Sequence, residues 1–378
     1  MVTLALAAIS ARPLAEAAAR EGLGAVALDL FGDQDTRRAA SAWLPIGSAS
    51  ALHIDAQLLL DALASLARCG DVQGWVAGAG FDGRAELLAH GAARLPLIGT
   101  AAADQARVRD PATFFGFLKA CGFAYPPVRH DHAGATAGWL HKDAAGCGGW
   151  HITRAEDTRD VPSGPLRYLQ REARGVSMSA TFVANGHGAV LLGFNQQIVR
   201  PLGDRPFVYG GVVGPVHVPQ GVRRDVTSIV CSLVEGFSLR GLGSLDFLLD
   251  GERVLVLEVN PRPSASMALY PRLGDGGVLQ AHVRACRHGV LPVPAPARID
   301  VIEGQEIVFA PKTMSLGEPG VAHLARQSDT HDVPAGPLRL AAGEPVCSVS
   351  ARGSSVESVQ MALSLRREAL LLTLEACE

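Results

Sequence analysis

Lysine is almost absent from this 378-residue sequence, in which only three of the 34 basic residues are lysines: Lys119, Lys142 and Lys312. The 34 basic and 37 acidic residues leave a formal net charge of −3, and no basic block occurs. General electrostatic binding to nucleic acid depends on such a block. We therefore expect no nucleic-acid partner, and each lysine becomes a candidate for a specific role.

Long apolar runs and paired cysteines are missing as well. Hydrophobic residues make up 48% of the chain, but charges, Gly or Pro interrupt every run before the ~20 residues that a membrane helix needs. The seven cysteines are scattered without a CxxC pair, which is typical of reduced thiols and argues against a disulfide framework or a zinc site. Because residues 1–5 also lack a basic region, we expect no cleaved signal, no membrane partner and a cytoplasmic protein.

The first hundred or so residues alternate short apolar runs with amphipathic stretches. This rhythm predicts strands and helices in turn, and therefore a parallel sheet covered by helices over residues 1–104. The predicted strands are 2–9, 25–30, 74–77 and 95–98, and the predicted helices are 13–21 and 55–67.

The rest of the chain divides into two further parts, 105–290 and 291–378. Asp110-Pro111 predicts the start of a helix, with proline in its first turn. Strands dominate residues 139–260, and a Pro-rich stretch at 291–296 precedes the last part. That last part contains two predicted strands and a final helix: 306–310, 345–350 and a helix from about Val356. The whole is a mixture of α/β and α+β organisation.

A lysine followed by a glycine-rich loop is the first segment that indicates chemistry. Lys142 ends a predicted strand, and Gly146, Gly148 and Gly149 follow before an apolar strand resumes. Glycines let backbone N–H groups approach a phosphate without interference from Cβ, and the lysine adds a positive charge. The loop predicts a phosphate site, although it lacks the Gly-Lys-Ser/Thr of a Walker loop. An ordinary hairpin with a surface lysine is the alternative.

Residues 168–179 form a second segment, in which an apolar strand passes into a short extended stretch and then a glycine. Gln170, Arg171, Glu172 and Ala173 make up the extended stretch. Its exposed backbone N–H and C=O groups would match the neighbouring donor and acceptor of an adenine ring. The segment is a candidate for adenine binding, with a simple turn between strands as the alternative.

Residues 243–263 predict a β-hairpin, because Asp250-Gly251 stands between two apolar runs. A three-residue turn beginning at Gly251 would place Asp246 opposite Glu258. Side chains alternate along a strand, so Glu258 and Asn260 share one face. A slip of one residue would move Asp246 to the other face.

Asp246, Glu258 and Asn260 would then bring two carboxylates and an amide oxygen together. Hard oxygen ligands of this kind suit Mg²⁺, and burying the two carboxylates without a cation would be costly. Arg262, which stands between two prolines, would add a fixed positive charge beside the metal. A solvated polar face is the alternative.

In this order and at these separations, the three segments resemble the nucleotide site of the ATP-grasp ligases. The resemblance covers roughly residues 105–265 and includes Gln-x-x-x-x-Gly at 170–175 and Leu-Glu-Val-Asn-Pro-Arg-Pro at 257–263. It implies an ATP-grasp fold that follows a Rossmann-like N-terminal domain. The region 291–378 would be a small C-terminal part that completes the grasp domain.

The resemblance also implies a role for each of these residues. Those implied to bind ATP are Lys142, Gly146, Gly148, Gly149, Gln170, Arg171, Glu172 and Ala173, with backbone groups of Arg171 and Ala173 reading the ring. Those implied to bind Mg²⁺, or Mn²⁺ in its place, are Asp246, Glu258 and Asn260. Arg262 is implied to be catalytic, stabilising either the transferred phosphoryl group or the acyl phosphate and the tetrahedral species. Arg107 or Arg109 stands in the region where family members commonly carry a second phosphate-contacting lysine.

The implied reaction is an ADP-forming ligation of a carboxylate to an amine. ATP phosphorylates the carboxylate, and the amine then displaces phosphate from the acyl phosphate to form a C–N bond. Residues 78–82 and 207–211 resemble a narrower branch, related to tyramine– or tyrosine–glutamate ligases of methanofuran-type one-carbon cofactor synthesis. The implied partners are small-molecule carboxylate and amine substrates, and a homodimer is one option for the oligomeric state.

Three other functions fit parts of the sequence. Residues 78–83 match GxGxxG after a strand, as in NAD-dependent dehydrogenases, but the next predicted strand ends at Gly99-Thr100 without the acid that would bind a ribose. A carboxylase-type relative would use bicarbonate. A non-catalytic protein would bind nucleotide without turnover, although the intact set of site residues argues against such decay.

Overall fold

The computed structural model describes residues 2–131, 137–157, 164–274, 276–293 and 301–376. The elements of its first part are β1 (Thr3–Ala7), α1 (Arg12–Arg20), β2 (Gly24–Asp29), α2 (Gln34–Ala39), β3 (Ala42–Pro45), β4 (Gly47–Ser48), β5 (His53–Ile54), α3 (Ala56–Cys69), β6 (Val72–Ala77) and α4 (Ala85–Ala92). Four of these strands form a parallel sheet in the order β3-β2-β1-β6. The predicted parallel α/β architecture is therefore confirmed.

Local signals set the ends of these elements. α3 begins after Asp55, whose side chain accepts a hydrogen bond of 2.9 Å from a backbone N–H of the first turn. It ends at Gly70, whose φ of 79° suits glycine. The strand predicted over 95–98 is wrong, because Leu97 makes only an isolated bridge with Trp75.

Two helices and a small sheet follow: α5 (Ala102–Arg109), α6 (Pro111–Ala120), β7 (Val128–Arg129), β8 (Trp139–Asp143), β9 (Thr153–Arg154) and β10 (Arg167–Arg171). The order of the sheet is β7-β10-β8-β9. β10 runs antiparallel to β8, with Tyr168 opposite Lys142 and Gln170 opposite Leu140. Lys142 and Gln170 therefore come from neighbouring strands of one sheet.

The remaining elements are β11 (Val176–Asn185), β12 (Ala189–Leu202), β13 (Arg205–Val216), α7 (Gln220–Phe237), β14 (Arg240–Asp250), β15 (Arg253–Asn260), a 3₁₀ helix (Ala265–Leu269), α8 (Val278–His288), β16 (Ile302–Phe309), β17 (Met314–Leu316), α9 (Glu318–Arg326), β18 (Thr330–His331), β19 (Leu338–Leu340), β20 (Pro345–Gly353) and α10 (Val356–Ala376). Eight strands form one sheet in the order β15-β14-β11-β12-β13-β16-β20-β18. This sheet includes strands from both sides of residue 290. The division at residues 104 and 290 stays a prediction, and the Pro-rich stretch runs into 294–300, outside the described residues.

The sequence prediction that strands dominate residues 139–260 misses α7, which packs into the core beneath the large sheet. Its buried residues recur at spacings of three and four, which is the helical signal that could have revealed it: Val222, Val226, Ile229, Val230, Leu233 and Val234. Neither α7 nor any other helix in the described ranges is long and apolar enough to cross a bilayer.

His282 of α8 connects the N-terminal unit, which is the part of the chain built on the sheet β3-β2-β1-β6, to the eight-stranded sheet. This histidine also makes the free energy of unfolding depend on pH. Its Nδ1 accepts a hydrogen bond of 2.8 Å from the Leu242 N–H, and its Nε2 lies 2.9 Å from the Ile98 carbonyl oxygen. Burial lowers the pKa of His282 to about 4, against ~6.5 in an unfolded chain. Between these values the unfolded chain binds more protons. The contribution of this histidine to the free energy of unfolding is therefore complete above about pH 6.5 and falls by about 3 kcal/mol towards pH 4.

Urea unfolding between pH 4 and pH 7 tests this expectation. We expect a clearly smaller dependence on pH in His282→Asn than in the wild type, and an unchanged dependence in His187→Asn, which alters an exposed histidine. An equal slope in His282→Asn and the wild type would contradict it.

Candidate active site

The hairpin of β14 and β15 places the two predicted metal carboxylates opposite each other. Asp246 pairs with Glu258, as predicted. The predicted three-residue turn is wrong, because Asp250 pairs with Arg253 and leaves only two residues in the turn. A bulge on the Glu258 strand, where the register shifts between Asp246 and Phe247, supplies the missing residue and restores the predicted pairing.

Asp246 and Glu258 lie in different electrostatic surroundings. Burial, and then the charge of Glu258, raises the pKa of Asp246 to about 7. Its Oδ1 is buried and has no hydrogen-bond partner among the described residues. Burial also opposes ionisation of Glu258, but Arg109, Lys142 and His151 outweigh it and hold the pKa of Glu258 below its usual range. Asp246 is therefore the carboxylate that a cation would deprotonate and satisfy.

Asn260 lies between Asp246 and Arg262 and bonds to both. Its amide NH₂ donates to Asp246 Oδ2 at 3.1 Å, and its Oδ1 accepts from Arg262 Nη2 at 3.2 Å. The amide oxygen is thus already occupied by the arginine. Turning the amide over towards a metal would set its NH₂ against the guanidinium, so metal binding by Asn260 stays a prediction.

The oxygen atoms of this hairpin fit Mg²⁺ when a nucleotide supplies further ligands. Within the described ranges, no group of three Asp, Glu, His or Cys side chains forms a metal site by itself. Mg²⁺ in nucleotide sites usually takes one or two carboxylates together with phosphate oxygens and waters. Asp246 and Glu258 provide two such carboxylates, and the bare Oδ1 of Asp246 would gain a partner.

Lys142 is buried and is oriented by Gln170. Its Nζ donates to Gln170 Oε1 at 3.1 Å and lies 5.9 Å from the centre of the Tyr168 ring. The Nε2 of Gln170 is buried and has no partner in the described part of the chain. The amide therefore holds the ammonium group at the cavity wall and keeps a donor of its own for a ligand.

The glycine-rich loop lies against β13. The carbonyl oxygen of Gly148 accepts a 2.9 Å hydrogen bond from the Tyr209 N–H. Gly149 has a φ of 76°, and a Cβ there would collide with the carbonyl oxygen of Phe207. A Cβ at Gly146 would likewise collide with the His151 ring. The glycines are therefore required for the close approach of the loop to its own protein, besides any contact with phosphate.

Gly149→Ala tests that requirement. The added methyl group would force the loop away from β13 and demand a backbone conformation that alanine rarely adopts. We expect the dissociation constant of MgATP, measured by calorimetry, to rise by about tenfold. The control is Gly99→Ala, because a Cβ at Gly99 meets open space. Equal affinities in the two variants would contradict the expectation.

The predicted adenine stretch is partly engaged by the protein itself. The Arg171 N–H donates to the Pro127 carbonyl oxygen at 2.8 Å, so it is not free for an adenine ring. Glu172 accepts from Arg154 Nη2 at 3.2 Å in a half-exposed ion pair. Adenine binding by this stretch stays a prediction, and it would have to use other backbone groups, such as those of Ala173.

Arg109 proves to be the arginine that reaches the site, whereas Arg107 lies on the surface beside Asp104. Arg109 donates to the Ala144 carbonyl oxygen at 2.9 and 2.6 Å, to the Gly146 carbonyl oxygen at 3.1 Å and to Glu258 Oε2 at 3.2 Å. These contacts occupy most of its five N–H groups. Arg109 therefore ties the glycine-rich loop to Glu258 and is poorly placed to serve as a second phosphate ligand.

Asp82 is a further site residue that sequence reasoning missed. It lies in the loop between β6 and α4, is 5% exposed, and forms an ion pair of 3.1 Å with Arg262 Nη2. The segment of residues 78–83 that contains Asp82 was noticed in the sequence, but it was interpreted as a GxGxxG-like pattern. The partners are 180 residues apart, so only the tertiary fold shows that they meet.

One large cavity of about 1510 Å³ joins these groups. All the predicted site residues line it: Lys142, Gly146, Gly148, Gly149, Gln170, Arg171, Glu172, Ala173, Asp246, Glu258, Asn260 and Arg262. Parts of the N-terminal unit and of the C-terminal strands complete the walls. Sites for a single small molecule usually measure about 300–1,000 Å³, so this cavity has room for a nucleotide and a second substrate.

Comparisons with known proteins agree with this fold. Residues 109–266 match the ATP-grasp domain family. Biotin carboxylase from Campylobacter jejuni has a TM-score of 0.71 at 13% identity, covering 99% of this chain and 95% of that one. L-amino acid ligase from Bacillus licheniformis has a TM-score of 0.67 at 14% identity, covering 96% of each chain. At these identities the likeness concerns the fold.

Curated relatives match only in part. The carbamoyl phosphate synthase large chain of Thermoplasma volcanium is 28% identical over 128 residues, which cover 33% of this chain and 12% of that protein. An uncharacterized protein of Methanocaldococcus jannaschii is 22% identical over 184 residues, 48% of this chain. The matched part spans less than half the length of both relatives.

Proposed function

We propose that this chain, which has the ATP-grasp fold, is an ADP-forming ligase that joins a carboxylate to an amine through an acyl phosphate. The observation that supports this most strongly is the meeting of four features in one cavity. These are the opposed Asp246 and Glu258, the buried Lys142, the glycine-rich loop and Arg262.

Residues of opposite charge would bind different parts of the metal–nucleotide complex. Lys142 and the loop would hold the phosphates of ATP, while Asp246 and Glu258 would hold Mg²⁺ or Mn²⁺. The metal, when bound, would neutralise negative charge on the β- and γ-phosphates. Arg262 would stabilise the phosphoryl group as it moves, because catalysis of phosphoryl transfer depends mainly on positioning and electrostatics.

The bond changes follow from this arrangement. An oxygen of the substrate carboxylate attacks the γ-phosphorus, and the bond to ADP breaks. The amine nitrogen then attacks the carbonyl carbon of the acyl phosphate and gives up one proton to the departing phosphate or to solvent. Inorganic phosphate leaves with the electrons of its C–O bond. Excluding water from the cavity protects the acyl phosphate from hydrolysis.

A bicarbonate-using carboxylase is the second candidate, favoured by the fold likeness to biotin carboxylase. It would share the first half of the chemistry, since bicarbonate would take the place of the carboxylate. A dehydrogenase is less favoured, because contacts within the protein account for the loop of residues 78–83. Asp82 pairs with Arg262, and Gly83 packs against Ala145.

The one-carbon cofactor branch is a narrower proposal. It rests on residues 78–82 and 207–211, and both segments make contacts within the scaffold. Asp82 binds Arg262, and Gly149 of the glycine-rich loop packs against the Phe207 carbonyl oxygen. These contacts account for the segments without reference to a particular substrate. The branch is tested by including glutamate with tyramine and with tyrosine among the substrates.

ADP formation with pairs of amino acids and amines, in the presence of Mg²⁺, tests the proposed function. We expect ADP release that requires both a carboxylate and an amine, together with an amide product seen by mass spectrometry. Release that depends on bicarbonate would favour the carboxylase. Nucleotide binding without turnover in any mixture would overturn the ligase and support a non-catalytic role. We also propose a cytoplasmic location and a homodimeric state, and both proposals rest on the sequence alone.

A further inference from the structure

The guanidinium group of Arg262 is held on one side and open on the other. Its Nε donates to both carboxylate oxygens of Asp82 at 3.2 Å. Its Nη2 donates to Asn260 Oδ1 at 3.2 Å and lies 3.1 Å from Asp82 Oδ2 as part of the ion pair. Its Nη1 makes one hydrogen bond among the described residues, a long one of 3.4 Å to the Pro263 carbonyl oxygen. Of the five N–H groups of an arginine, one of the two on Nη1 is therefore available to a ligand.

Asp82 reaches Arg262 from a different part of the fold. The loop of residues 78–84 leaves β6 of the N-terminal sheet, and a Cβ at its Gly83 would collide with Ala145 beside the glycine-rich loop. Close packing there fixes the loop, and with it the carboxylate. The side chains of Asp82 and Arg262 are 3% and 9% exposed.

We propose that Asp82 is a positioning residue that fixes Arg262 so that its Nη1 faces the terminal phosphoryl group of the nucleotide. A chain of contacts then runs from Asp82 through Arg262 and Asn260 to Asp246, so the N-terminal unit orients the charged centre of the ATP site. This inference rests on the proposed function, because it requires a nucleotide in the cavity.

The same geometry explains why an acid is needed at residue 82. A buried guanidinium without a counter-charge is unstable, and a neutral partner would let it rotate towards other acceptors such as Glu258. An oriented guanidinium donates to an anion along fixed N–H directions. A neutral residue 82 is therefore expected to weaken binding of the γ-phosphoryl group and not binding of the rest of the nucleotide.

Calorimetry with two magnesium nucleotides tests the role of Asp82 without a known substrate. The probes are MgADP and the non-hydrolysable MgAMPPNP, which differ at the terminal phosphoryl position. In the wild type we expect MgAMPPNP to bind more tightly than MgADP. In Asp82→Asn this preference should fall by about tenfold, which is the effect of one lost charge-assisted hydrogen bond. The affinity for MgADP should change by less than about threefold.

Asp332→Asn is a matched control. Asp332 also forms an ion pair with a buried arginine, Arg12, at 2.7 Å and lines the same cavity. The Asp332→Asn variant should lose about as much stability as Asp82→Asn but keep the preference for MgAMPPNP over MgADP. In an Arg262→Lys background, Asp82→Asn should change the preference little, because the two residues act together.

Two outcomes would overturn the role of Asp82. They are an unchanged preference in Asp82→Asn, and an equal loss in Asp332→Asn. A wild type that binds neither nucleotide would instead overturn the nucleotide site, and with it the proposed function. The two failures are thus distinguished by the wild-type measurement alone.

Discussion

Glu258→Gln is expected to lower ADP formation by at least about 100-fold while leaving the protein folded. Glutamine has the shape of glutamate but lacks its charge. Glu258 is the carboxylate that Arg109 and Lys142 hold ionised, so the change removes charge compensation for the metal. It also leaves Arg109 facing a neutral partner across the present 3.2 Å contact. Steady-state ADP release at saturating MgATP would measure the effect.

The matched control is Glu303→Gln, which removes a carboxylate that pairs with Arg352 at 3.0 Å on the protein surface. We expect near wild-type turnover from it, since exposed ion pairs contribute little. Circular dichroism and urea unfolding of both variants would monitor the fold. Normal specific activity of soluble Glu258→Gln would show that Glu258 is not needed for catalysis.

Lys142→Met should raise the dissociation constant of MgATP by about 10- to 100-fold. Methionine retains most of the apolar length but loses the ammonium group, so the nucleotide loses a charged donor and the Oε1 of Gln170 loses its 3.1 Å partner. Lysine is rare in this chain, which makes the control simple. Lys312→Met alters a surface lysine that pairs with Glu375 at 3.0 Å and should bind MgATP like the wild type.

Equal affinities for MgATP in the two lysine variants would show that Lys142 serves the fold and not the nucleotide. The measurement does not depend on the identity of the substrates. It therefore separates a failure of ATP binding from a failure of the ligase chemistry, which Glu258→Gln addresses.

The local pattern of the sequence sufficed for the parallel sheet, for the ends of α1 and α3, for the starts of α6 and α10, and for the pairing of Asp246 with Glu258. The helix ends and the pairing in the hairpin depend on residues that are close along the chain, such as the cap at Asp55 or the turn at Gly251. The hairpin also shows a limit. The pairing was correct although the turn was wrong, because a bulge adds the residue that the shorter turn leaves out.

Contacts between distant parts of the chain could not be predicted in the same way. Arg109 and Glu258 are 149 residues apart, and Asp82 and Arg262 are 180 apart. No periodicity of a single sequence relates such pairs. Only the tertiary packing of α5 and of the loop that carries Asp82 against the hairpin region brings them together. The missed helix α7 is a different case, because its repeating buried residues were visible in the sequence.

The order of strands in the large sheet has a consequence for biosynthesis. β13 pairs on one side with β16, which is translated only after α7, β14, β15 and α8. Until β16 leaves the ribosome, one edge of β13 has no neighbour, and Ile198 and Val213 lack the C-terminal residues of their hydrophobic cluster. An open strand edge beside bare apolar residues invites association between nascent chains. Polypeptides released at residue 290 should therefore aggregate or bind chaperones, whereas chains that extend through β20 can close the sheet.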